Sequence, residues 1–94
     1  MDEELLLLLR KPVTVGTTTY AELHLTEPTV GQLIEAQAEG LPIKQNATLL
    51  RLNAKIPQAA VNQLLQRDFS DAIDFFRRFS DSPTAPTAQN DSAA

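Results

Sequence analysis

The 94-residue chain contains no cysteine, one histidine and three glycines, and each scarcity closes off a class of chemistry. Without cysteine there is neither a disulfide frame nor a thiolate metal site, which agrees with a reducing compartment. Gly16, Gly31 and Gly40 stand too far apart to form a phosphate-cradling loop. The single histidine, His24, has no base or nucleophile arranged around it in the sequence, and catalysis would need one. It reads as an ordinary surface residue on the polar face of a strand.

Positive charge is also scarce. Eight Lys and Arg stand against twelve Asp and Glu, a formal net charge of -4, and only Arg10-Lys11 and Arg77-Arg78 are adjacent basic pairs. A nucleic-acid binder needs a basic face to displace counterions from phosphates, so no nucleic-acid partner is expected. The apolar run Leu5 to Leu9 has only five residues and follows Asp2, Glu3 and Glu4. A signal peptide needs a positive start and a longer apolar stretch. A membrane span needs about 20 apolar residues. No membrane partner is expected, and the protein should stay in the compartment where it is made. Asp68, Asp71 and Asp74 hint at a cation site, but their spacing spreads them around a helix by about 60° each. The alternating oxygen ligands and glycine turn of a calcium loop are missing. They read as a solvated face, with Asp68 also able to cap the helix. No catalytic residue, cofactor site or metal site emerges, and the expectation is a protein that is not an enzyme.

What is present is a core for one small domain, with 43% hydrophobic residues. The first third reads as two strands. Leu5 to Val15 leads to Gly16-Thr17, a two-residue hairpin loop in which Gly16 supplies the positive φ of a type II′ turn. Thr18 to Leu25 runs back, rich in β-branched and aromatic residues. The turn predicts Val15 opposite Thr18, Val13 opposite Tyr20, Lys11 opposite Glu22 and Leu9 opposite His24. Pro12 cannot donate to a ladder and marks an edge position or a bulge.

Helical signals follow. Thr29 with Gln32 makes a capping box for a helix over Val30 to Glu39, with Val30, Leu33, Ile34 and Ala38 as its apolar stripe and Gly40 as its stop. Leu41 to Gln45 reads as a connector. A second helix spans Ala47 to Ala54, and a third runs from Pro57 to about Leu65. The last helix, Asp68 to Phe79, has the clearest periodicity: Phe69, Ala72, Ile73, Phe76 and Phe79 line one face. All four phenylalanines of the protein lie on it. The predicted architecture is α+β: an N-terminal β-hairpin followed by three or four short α-helices over residues 5-80. Residues 1-4 and a C-terminal tail, 81-94, are expected to be disordered, because the tail has no large apolar residue to offset the entropy of ordering. Truncation after Ser80 should therefore leave the melting temperature nearly unchanged, and a drop of many degrees would show that the tail docks on the domain.

Two features suggest binding. A strand over Leu5 to Leu9 shows leucines on both faces. The phenylalanine face spans an arc of about 160° at a helical step of about 100° per residue. Phe75 and Phe79 lie at its margin. Leu6, Leu8, Phe75 and Phe79 are the expected partner-binding residues.

The stretch Leu9 to Leu33 resembles the opening of the Mu-type phage tail assembly chaperones. Lys11-Pro12, Gly16 and Glu22-Leu23-His24-Leu25-Thr26-Glu27-Pro28-Thr29 carry the likeness. Leu50-x-Leu52 before Ile56-Pro57, and Arg67-Asp68-Phe69 at the start of the last helix, extend it to about Phe79. His24 stands where the family often has threonine. The resemblance implies a small cytoplasmic protein of the bacterial host, absent from the mature virion. It would bind the phage tape measure protein, a long helical and hydrophobic chain, and keep it soluble until tail tube subunits assemble. A second copy of itself is a further expected partner. The alternatives are a minor structural protein of the tail and a small phage regulatory binding protein.

Overall fold

Two strands and then four helices follow one another in the computed structural model, which describes residues 3-80. They are β1 (Glu4–Val15), β2 (Thr18–Thr26), α1 (Val30–Gln37), α2 (Pro42–Ala54), α3 (Gln58–Gln63) and α4 (Gln66–Ser80). The strands form an antiparallel hairpin, so the α+β arrangement is the one predicted. Residues 81-94, expected to be a disordered tail, lie outside the described residues. Glu3 and Glu4, assigned above to a disordered N-terminus, belong to the fold: Glu4 opens β1, and Glu3 meets Arg78 at 3.3 Å.

The hairpin starts as the sequence dictates. Gly16 has φ 63°, and Val15, Thr14 and Val13 face Thr18, Thr19 and Tyr20. The expected Lys11–Glu22 and Leu9–His24 pairs do not form. Leu8 faces Glu22 and Leu6 faces His24, so five steps along β1 match only two along β2. The interruption falls at Leu9 to Pro12, and it has two physical causes. Pro12 has no N–H to give the ladder. The Arg10 N–H donates instead to Asp68 Oδ2 on α4, at 3.0 Å.

One face of the hairpin builds the core. Leu9, Val13, Leu23 and Leu25 are buried against Leu50 of α2, Ala60 and Val61 of α3, and Ala72, Ile73, Phe75 and Phe76 of α4. Helix α4 is anchored through Asp68, whose side chain is fully buried. Its Oδ1 accepts from Arg10 Nη1 at 2.8 Å, and the same nitrogen donates to Asp71 Oδ2 at 2.9 Å. These bonds, to Asp71 first and to Asp68 next, hold the Arg10 guanidinium above its ordinary pKa. Asp68 is thus not part of a solvated face. It is the acceptor that satisfies a strand N–H left outside the ladder.

A second polar node ties α2 to the hairpin and to α1. Asn53 is buried; its Oδ1 accepts from the Thr26 N–H at 2.9 Å, and its Nδ2 donates to Gln32 Oε1 at 3.0 Å. Gln32 also completes the capping box with Thr29. Asn53→Ala would leave the Thr26 N–H at the end of β2 without its acceptor, a cost of about 1–3 kcal/mol. Denaturant unfolding should show that loss, whereas Gln63→Ala, on the exposed side of α3, should change little.

The middle helices depart from the expected bounds. Helix α2 starts at Pro42 rather than Ala47, with Leu41 as its N-cap, because proline fits the first helical position, where an N–H has no partner anyway. Most of the expected connector is therefore helix. Lys55 closes α2 in the left-handed region at φ 59°.

An apolar groove between three helices

Helix α1 forms where its capping box predicts, but its apolar stripe does not enter the core. Only Ala36 of this helix is buried. Val30 is 71% exposed and Ile34 68%, with Leu33 less so at 38%. The reason is supply: the hairpin and α4 already provide the large side chains of the core, and α1 packs chiefly on α2.

Between α1, α2 and α4 lies an open groove of about 530 Å³. Leu49 of α2 and Ile73 and Phe76 of α4 form its floor, all of them buried. Val30 and Leu33 stand along one side, and Phe79, partly buried, stands on the α4 side. Glu27, Gln45 and Arg77 contribute polar groups to the lining. A concave apolar surface with a polar border is suited to holding another apolar group.

The four residues expected to bind a partner are not brought together. Leu6 and Leu8 are exposed on the hairpin face turned away from the core, and neither lines the groove. Phe79 lines the groove. Phe75 is a correction: it is only 3% exposed and so belongs to the core. Its ring meets the edge of Phe79 at 5.3 Å between centroids, packs near Phe76 at 5.9 Å and lies under the Arg78 guanidinium at 5.6 Å. Val30, Leu33 and Ile34 are the surface residues that sequence reasoning assigned to an apolar stripe without seeing that it faces out. Their spacing is the same for a stripe that meets a core and one that meets solvent, so periodicity carries no signal to separate the two.

His24 lies on the exposed side of β2, where its Nε2 meets Glu4 Oε1 at 2.7 Å. No helix among the described residues is long and apolar enough to cross a membrane.

The described residues form a small hairpin-and-helices domain with an open apolar groove. The chain belongs to the phage tail assembly chaperones: the family described as phage tail assembly chaperone proteins, E, or 41 or 14, matches residues 7-81. That span runs from β1 through the whole of α4. No match was found among curated proteins or among solved structures.

Proposed function

We propose that this protein binds the phage tape measure protein in the host cytoplasm and keeps it soluble until tail tube subunits assemble around it, without catalysis. The observation that carries this reading is the outward apolar stripe of α1 beside a groove already floored by Leu49, Ile73 and Phe76. A long helical chain can lay its own apolar stripe along such a surface, the helix-in-groove mode. The family supports the assembly role. Association rests on apolar burial, and no cluster of like charge borders the groove, so binding should respond weakly to salt.

Co-expression with the tape measure protein tests this. A Val30→Ser, Ile34→Glu double variant changes two exposed positions and should melt as the wild type does. It should leave most of the tape measure protein in the insoluble fraction, whereas the wild type keeps it in solution. Equal solubility with both chains would remove the groove assignment. Failure of the wild type to hold any tape measure segment would remove the function.

A further inference from the structure

Helix α1 is the least anchored wall of the groove. It buries only Ala36, whereas α4 buries Ala72, Ile73, Phe75 and Phe76. Its packing is chiefly on α2. The chain just after α1 is held firmly to that helix. Gln45 Nε2 donates to the Glu39 carbonyl at 3.0 Å, and the hydroxyl of the buried Thr48 donates to Glu39 Oε2 at 3.3 Å. The other half of α1 is held to α2 by the bond from Asn53 Nδ2 to Gln32 Oε1 at 3.0 Å. Asn53 Oδ1 separately holds the Thr26 N–H, so the end of β2 stays fixed whether or not the Gln32 bond is made. Both connectors suit a swing. A side chain at Gly40 would meet nothing within 4 Å beyond its chain neighbours. Residues 27–29, the link from β2, can extend about 10 Å at about 3.3 Å per residue. A segment with so few buried apolar contacts opens at lower cost than the core around it.

We propose that α1 is a hinged wall of the groove. It opens as a unit about residues 39–41, with the Gln32–Asn53 bond as its latch, and it closes on an apolar segment laid in the groove. This rests on the groove being the surface that takes the tape measure protein. Closed, the wall brings Val30 and Leu33 against the segment, while Leu49, Ile73 and Phe76 stay as a fixed floor. Opening leaves the rest of the fold in place. The Arg10–Asp68 tether and the Asn53–Thr26 bond hold the hairpin to α4 and to α2 without α1. The consequence lies in specificity. A rigid groove selects one shape of side chain, because packed surfaces tolerate little change in volume. A wall that sets its own distance accepts large and small apolar side chains alike. The site therefore reads apolarity and not sequence, which suits a partner that offers many different apolar stretches along its length.

The test is native-state hydrogen exchange of the full 94-residue chain in low, rising concentrations of denaturant. The Leu33 and Ala38 N–H groups donate to the carbonyls of Thr29 and Ile34 and report on α1. Amides 33–38 should share one opening, at least about hundredfold more frequent than that of the central amides of α4 and only weakly dependent on denaturant. Gln32→Ala removes the latch and should speed exchange in α1 about threefold to tenfold, the worth of one hydrogen bond. Gln32→Glu keeps an acceptor oxygen for Asn53 Nδ2 and should restore the wild-type rate. In the complex formed by co-expression with the tape measure protein, the same amides should slow at least about tenfold. Exchange of α1 in step with α4 at every denaturant concentration would overturn the proposal. So would a graded loss from one end of α1, no effect of Gln32→Ala, or no slowing in the complex. A chain that never forms the complex would instead remove the groove reading, because exchange in the free chain tests the hinge without a partner.

Discussion

Phe76→Ala should lower the thermal midpoint of the protein by tens of degrees. Phe76 is 4% exposed, sits in the middle of α4 and forms part of the groove floor. Removing a buried phenylalanine ring costs about 3–5 kcal/mol in lost transfer energy and residual cavity. A domain of this size has a total stability of roughly 4–12 kcal/mol at the usual amount per residue. The substitution therefore consumes much of the margin. Thermal melting followed by circular dichroism should show either no cooperative transition or a midpoint lowered by tens of degrees, at about 4–8 °C per kcal/mol. A variant that melts like the wild type would mean that this ring is not part of the core. Phe79→Ala provides the contrast. That ring is partly buried at the groove edge, so its loss should weaken partner binding more than it lowers the melting point.

Asp68→Ala should produce the second large effect. The fully buried carboxylate accepts both the backbone N–H and the guanidinium of Arg10. Without it the N–H, which the interrupted ladder also leaves out, has no acceptor. An orphaned backbone donor of this kind costs about 1–3 kcal/mol, a midpoint lowered on the order of 10 °C. Asp71→Ala is the control. Asp71 meets the same Arg10 nitrogen, but its side chain is 43% exposed, and an exposed ion pair contributes little. Equal losses from the two substitutions would show that the guanidinium, and not the strand N–H, is what Asp68 serves.

These two residues mark where the sequence was legible and where it was not. Phe76 could be placed because the apolar spacing of the last helix has only one face wide enough to make a core. The hairpin turn could be placed because Gly16 is needed at a positive φ, and Thr29 with Gln32 located the start of α1 by hydrogen-bond logic alone. Asp68 could not be placed. Its acceptor role depends on Arg10, 58 positions away, and on a bulge that no local pattern encodes beyond the presence of Pro12. The groove was hidden for a related reason. An apolar stripe states which side of a helix avoids water, but not whether the rest of the chain has enough material to cover it. In α1 it does not. Phe75 was misjudged in the opposite direction, because the margin of a helical arc is still interior when a neighbour such as Phe79 closes over it.

The interruption at Leu9 to Pro12 also divides the hairpin into two ladders held by different means. The ladder near the turn, Val13 to Tyr20, takes its alignment from Gly16-Thr17. The far ladder, Glu4 to Leu8 against Glu22 to Thr26, is held by Leu23 and Leu25 in the core and by the tether from Arg10 to Asp68. The unpaired stretch between them works as a slip joint. One residue added at the turn would displace the alignment of the short ladder alone, and the slack in the bulge would absorb the step before it reached the leucines. The loop can therefore change in length while the remote half of the sheet, with its inward and outward leucines, keeps its facing.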